Sequence, residues 1–544
     1  MSNKAEGDPA SGGDPLAPIQ AAIARGDTAA AVGLARRALD AGTRHPLLFH
    51  LRAVWLEQAG QFAAAATDLE AALALAPGDA RLLNALSRCR AAAGQFALAA
   101  GAARTALTCD PTSIEALYNL GFAQEQLGRL DQAWAAFDQV RRSAPGHAEA
   151  TARLAALAAR RGEHDAARAL ADEVLARQPR HATAAFAQVV SDLAQARFAA
   201  AQARAGTIAG DAAFDPLVRA TALHYVADAL DGQGQTDDAF ERYAEANRAL
   251  RALAAPRFAQ VEVGRLLAAR LAAEFGAIAP AAWTPPAAPP SPIGGAGGLV
   301  FIVGFPRSGT TLLGQILGAH SRVVSLEERP LLDEALSEFV DTPGGLARLA
   351  ALGPTGIERY RGFFLERLRR NGIEPKGRTI VDQTALNTLH LPVIAKLFPE
   401  AKIVFALRDP RDVVLSCFRR LFALTPYLYE FLDLETTAAF YDTAMRAAAA
   451  YRAALALPVF ELRNEDLVAD FDGRVAALCQ FAGLAREDAM RDFAARPGRI
   501  ATPSAMQVSR GLSADGVGHW RLYEKHLAPV MPVIAGWVER FGYA

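Results

Sequence analysis

The hydrophobic pattern of the chain changes character about halfway along. As far as a last stretch over 261–275 it is helical, whereas beyond residue 298 short β-rich apolar runs at 299–303, 379–381, 402–407 and 459–462 alternate with helical patterns. That alternation predicts a parallel α/β sheet, whose ligands bind beyond the carboxyl ends of the strands. Between the two halves runs TPPAAPPSPIGGAGG (284–298), too dense in proline and glycine to continue a helix and therefore a domain boundary.

The N-terminal half repeats itself. Gly26, Gly60, Gly94, Gly128 and Gly162 fall 34 residues apart, as do Pro77, Pro111, Pro145 and Pro179, and each glycine is followed five residues later by Ala31, Ala65, Ala99, Ala133 or Ala167. This resembles the tetratricopeptide repeat, in which glycine permits the turn between two helices, alanine allows their close approach and proline closes the unit. Arg197-Phe198 and Gly234-Gln235 read as the turns of two further, irregular helical pairs. The expected organisation is a disordered tail over 1–14, an all-α repeat solenoid over 15–250, a helix and linker over 251–297, and an α/β domain over 298–544. A solenoid of this kind holds a peptide on its concave face or serves as a scaffold, and both readings stay open. Tyr118 and Asn119 are groove candidates, or members of a solvated helix face.

Composition narrows the function classes. A formal net charge of −1 over 544 residues argues against a general nucleic-acid binder. No apolar run approaches a membrane span, and the start MSNKAEGDPASGGDP lacks the basic and apolar regions of a signal peptide. Cys89, Cys109, Cys417 and Cys479 are scattered without metal-ligand or redox spacing, which suits a cytoplasmic setting. Alanine and arginine richness suggests a bacterial, GC-rich genome.

The chemistry concentrates in LVFIVGFPRSGTTLLGQIL (299–317), an apolar run, a glycine-bounded loop and an amphipathic segment. Gly304 and Gly309 bracket four residues, as in a Walker A loop, but Thr310 stands where nucleotide hydrolases carry lysine. The cation is instead inside the loop, at Arg307. The loop is suited to hold a phosphate through backbone N–H groups, Ser308, Gly309, Thr310 and Thr311, with Arg307 aimed at a further anionic group. A second cluster follows KIVFAL: Arg408 at the strand end, then Ser416 and Arg420 four residues apart on one helical face. Two anion sites at two strand ends imply a ligand with two separated anionic groups, although the second cluster alone also fits a solvated basic face.

PRSGTT followed by RDPRDVVLSCF resembles the sulfotransferase superfamily, whose donor is 3′-phosphoadenosine 5′-phosphosulfate, and most resembles the tyrosylprotein sulfotransferases and their bacterial repeat-bearing relatives. The resemblance implies that Arg307 to Thr311 hold the 5′-phosphosulfate and that Arg408 and Ser416, with Arg420, hold the 3′-phosphate, without a metal. It also implies that Glu328 in SLEERP is the general base, with Glu327 beside it. In SAMQVSRGLSADGVGHW (504–520) it places Ser504 at a catalytic serine, Arg510 at a basic residue of the closing loop and Trp520 at its closing tryptophan. A base is required because a phenol of pKa about 10 is almost wholly protonated at neutral pH. The implied reaction is transfer of a sulfonate to a hydroxyl acceptor. A protein or peptide tyrosine held by the repeats is one candidate, and a glycan, lipid or small metabolite are others.

Three residues depart from the family pattern: Gln383 in VDQTALN for a lysine, Asn464 in LRNEDLV for a tyrosine and His519 for a lysine. They motivate two alternatives, a repeat scaffold with an inactive nucleotide-binding domain or another cation, such as Lys396, in place of the lysine. A P-loop kinase is disfavoured by Thr310.

Overall fold

The computed structural model describes residues 16–285, 291–326, 329–493, 512–513 and 516–543. The chain forms two compact units, Met1–Gln188 and Val189–Ala544.

In the first unit, helices from Ala17–Ala24 to His164–Leu175 pack pairwise in the 34-residue period. Gly26, Gly60, Gly94, Gly128 and Gly162 all have φ between +71° and +78°, the left-handed conformation that lets one helix turn back on the last. Ala31, Ala65, Ala99, Ala133 and Ala167 are completely buried, so a larger side chain at any of them would push the paired helices apart. Tyr118 stacks on His147 at 5.4 Å, and Asn119 Nδ2 donates to Asn84 O in the preceding repeat at 3.5 Å, so both take part in packing between helices.

The second unit holds a five-stranded, wholly parallel sheet. Its order is β2-β3-β1-β4-β5, with β1 Gly298–Gly304, β2 Val323–Leu326, β3 Thr379–Asp382, β4 Lys402–Leu407 and β5 Val459–Arg463. Four strands coincide with the expected apolar runs. The fifth, β2, spans four residues and carries too short a pattern to stand out in sequence. Side chains alternate between two buried faces: Leu299, Phe301 and Val303 enter one core, Val300 and Ile302 the other.

The compact division lies upstream of the expected boundary at 284–298. Helices Phe198–Gly210, Pro216–Gly232, Thr236–Phe258 and Gly264–Gly276 belong to the second unit, where Leu267, Leu271 and Phe275 share a core with Phe301, Phe440 and Tyr451. These helices look like continuing repeats because their turns, at Ala196 with φ +56° and Gly234 with φ +76°, copy the local repeat chemistry. Among the described residues, no helix is long and apolar enough to cross a membrane.

Candidate active site

β1 lies between β3 and β4, the point at which strand order reverses, and such a switch point opens a crevice at the carboxyl ends. The loop after β1 leads into helix Thr310–Gly318, and the turn after β4 into helix Pro410–Phe418. Gly304 is obligatory at the first exit, since a Cβ there would stand 2.6 Å from Ala406 O on β4. Thr388 Oγ1 donates to Gly304 O at 2.6 Å from the β3 side.

Two residues of the loop adopt left-handed backbone, Arg307 with φ +73° and Gly309 with φ +102°. For arginine this conformation costs about 1–2 kcal/mol, so the loop retains strain at its central cation. Thr310 and Thr311 are buried in the first helical turn, and among the described residues no side chain caps it. Such a terminus attracts anions through its N–H groups and dipole. Asn464, at the end of β5, places Oδ1 3.1 Å from where a Cβ of Gly309 would stand, so this residue lies against the loop.

Arg307, expected in the first anion site, and Arg408, Ser416 and Arg420, expected in the second, lie in one cluster. Arg307 Nε donates to Ser416 Oγ at 2.9 Å, and Arg408 Nη1 donates to Arg307 O at 3.3 Å. Burial, then the charges of Arg420 and Arg408, push the Arg307 guanidinium down to about 9. Arg420 makes no side-chain hydrogen bond or ion pair among the described residues, and Arg408 Nε is buried without a partner. Among the described residues, the carboxylate paired with Arg408 is Asp412 at 3.9 Å, but its oxygens accept from Gly518 N and Trp520 N, each at 2.8 Å. The cluster therefore concentrates positive charge beside a helix N-terminus, and an anion is what that arrangement stabilises.

The C-terminal segment is anchored to the same helix. Besides the two bonds to Asp412, Gly516 O accepts from Arg408 Nη2, and the Arg411 guanidinium lies 3.8 Å above the Trp520 ring. Asp412 was not legible as a site residue, although an aspartate inside RDPRD, one turn after Arg408, is a signal for a buried organiser of arginines.

Gln383 ends up buried to 1 % exposure against Gly314 of the loop helix, with neither Oε1 nor Nε2 hydrogen-bonded among the described residues. Lys396 does not substitute for a missing cation. Its Nζ donates to Ala350 O at 2.8 Å and Ala282 O at 3.4 Å, and burial lowers its pKa. Helical phase takes it into that carbonyl cluster. His519 Nε2 is 3.4 Å from Asp231 Oδ1. Glu328, with Glu327, and Ser504 and Arg510 lie outside the described residues. Among the described residues no group of three or more His, Cys, Asp or Glu side chains could hold a metal.

Residues 300–488 match the sulfotransferase family model, and residues 51–114 and 102–135 match tetratricopeptide-repeat models. The chain is 34 % identical over 128 residues to protein-tyrosine sulfotransferase 1 of Danio rerio, covering 22 % of this chain and 36 % of that one. It is 32 % identical over 135 residues to protein-tyrosine sulfotransferase of Drosophila melanogaster, covering 24 % and 27 %. An uncharacterized protein of Aquifex aeolicus is 25 % identical over 244 residues, covering 43 % and 32 %. The chain spans less than half the length of these curated relatives. Among solved structures, a tetratricopeptide repeat protein from Parabacteroides merdae matches with a TM-score of 0.37 at 18 % identity, covering 43 % of this chain and 91 % of that one. Residues 300–488 are thus a sulfotransferase-family domain, in a chain whose N-terminal half carries tetratricopeptide repeats.

Proposed function

We propose that this chain transfers a sulfonate from 3′-phosphoadenosine 5′-phosphosulfate to a hydroxyl acceptor in the cytoplasm. The observation that carries the reading is the convergence of Arg307, Arg408 and Arg420 on one glycine loop, where burial and then the charges of Arg420 and Arg408 push the Arg307 guanidinium down to about 9. The donor supplies an activated sulfonate whose S–O bond to the 5′-phosphate breaks as the acceptor oxygen bonds to sulfur.

The chain's own residues do the rest. Ser308, Gly309, Thr310 and Thr311 supply the cradle at the helix N-terminus, and Arg307 supplies a fixed charge where negative charge develops on the departing phosphate. Arg408, Ser416 and Arg420 hold the 3′-phosphate as forks and a hydroxyl, with Arg510 as a further cation. Glu328 takes the acceptor's proton, and Ser504 donates at the sulfonate. No metal is required by this division of roles. A protein tyrosine is the acceptor most in keeping with the relatives named protein-tyrosine sulfotransferase, and the repeats are the surface to recruit it.

Calorimetry with 3′-phosphoadenosine 5′-phosphate tests the donor: binding is expected with and without magnesium, and no binding by the folded protein would overturn the reading. Glu328→Gln is expected to bind the nucleotide and not turn over; unchanged turnover in that variant removes Glu328 as the base.

A further inference from the structure

Helices Pro216–Gly232 and Thr236–Phe258 look in sequence like a late, drifting repeat, yet within the second unit their polar side chains grip the end of helix Pro410–Phe418, the arginine helix, which Arg419 and Arg420 follow. Asp231, on the first of them, accepts from the Arg419 guanidinium and the Tyr523 hydroxyl and has His519 Nε2 at 3.4 Å. Burial raises its pKa, but His519, Arg419 and Tyr523 outweigh that and hold the carboxyl at about 2. Arg419 also lies 5.3 Å from the Tyr243 ring and 4.9 Å from that of Tyr523. Asn247 Nδ2 donates to Phe418 O at 2.8 Å, and Phe240 packs 5.3 Å from the Phe418 ring. The end of the helix that carries Ser416 is thus held at a carbonyl, a ring and a guanidinium by one helical hairpin.

The same carboxylate reaches the C-terminal segment. His519 and Tyr523 flank Trp520, in the segment whose Gly518 and Trp520 amides bind Asp412 and whose Gly516 carbonyl binds Arg408. The adjacent arginines Arg419 and Arg420 therefore have opposite roles. Arg419 is ion-paired with Asp231, and Arg420, next in the chain, makes no side-chain hydrogen bond or ion pair among the described residues and lies near enough to lower the Arg307 pKa.

We infer that Asp231 is a positioning residue of the anion site: through Arg419 it fixes Arg420, and through Tyr523 and His519 it fixes the 516–520 segment. The hairpin is then a structural part of the transferase unit. The nucleotide component of this inference rests on the function proposed above; the positional component does not.

Asp231→Asn keeps the size of the side chain and removes its charge. In the full-length protein, amide hydrogen exchange at Gly518 and Trp520 is expected to speed about tenfold, with exchange in β3 unchanged. Affinity for 3′-phosphoadenosine 5′-phosphate is expected to fall about tenfold. Asp237→Asn, which breaks the exposed pairs of the same hairpin with Lys525 and His526, is expected to leave both within about twofold. Unchanged exchange at Gly518 and Trp520 in folded Asp231→Asn overturns the inference. Faster exchange in a protein whose wild type binds no nucleotide upholds the positioning role and removes the nucleotide reading. If Asp231→Asn does not fold, Tyr523→Phe, which deletes one hydroxyl, is expected to speed the same exchange about threefold, and no change there is equally fatal.

Discussion

Arg307 combines a left-handed backbone, a buried guanidinium and two neighbouring arginines, each of which disfavours an isolated protein. Glycine at this position relieves the backbone cost and the charge repulsion together. Arg307→Gly is therefore expected to unfold at least as late as the wild type, by about 1 kcal/mol, while nucleotide affinity falls about a hundredfold. Thermal denaturation beside calorimetry checks both, and a loss of stability would show that the strain is not there. Gln383 carries a different tension, a buried amide with neither atom bonded among the described residues. Gln383→Leu is expected to stabilise the unit by about 1 kcal/mol in urea unfolding, and to slow turnover if the amide meets the transferred group. The oddity of Gln383 was visible in VDQTALN, but its contact with Gly314 was not, because 69 positions separate residues 314 and 383.

At the level of elements, the repeat is the most legible feature because its rules are local. A glycine between two helices and an alanine five residues later act within one hairpin, so the 34-residue spacing reports them directly. Gly128 has φ +71° and nothing within 4 Å of a Cβ position, so Gly128→Ala tests backbone conformation alone. It is expected to cost the first unit about 1 kcal/mol in denaturant unfolding, and no loss would mean that the turn relaxes freely. Strand β2 shows the converse. Four residues carry little pattern, and its place comes from pairing with β3, where Val323 lies opposite Thr379. The loop helix and the arginine helix were legible as local motifs, but their meeting through Arg307 and Ser416, 109 positions apart, is a product of β1 and β4 pairing side by side.

For the whole molecule, the helices after 189 decide what folds as one piece. A fragment beginning at 298 lacks Asp231, Asn247 and the core residues Leu267, Leu271 and Phe275, and is expected to be insoluble or to lack a cooperative melt; a fragment beginning at 189 keeps them and is expected to fold. Circular dichroism of the two separates these outcomes. Asp231 also ties stability to pH. Its folded pKa, about 2, lies below its ordinary 3.8, so its contribution is complete above pH 3.8 and is lost as pH falls through 2. The integrated loss is about 2 kcal/mol. Acid titration of unfolding is expected to be flatter over that window in Asp231→Asn, and equal slopes would contradict the assignment. The amino-acid sequence by itself determined the repeat and the strand-loop-helix pattern, since period, turn conformation and glycine-loop spacing act over a few residues. Only the tertiary structure decided that Arg419 is ion-paired with Asp231 while Arg420 faces Arg307, that Lys396 turns to distant carbonyls, and that a repeat-like hairpin holds the site. Those outcomes depend on partners up to 292 positions away, between Asp231 and Tyr523, which no local pattern encodes.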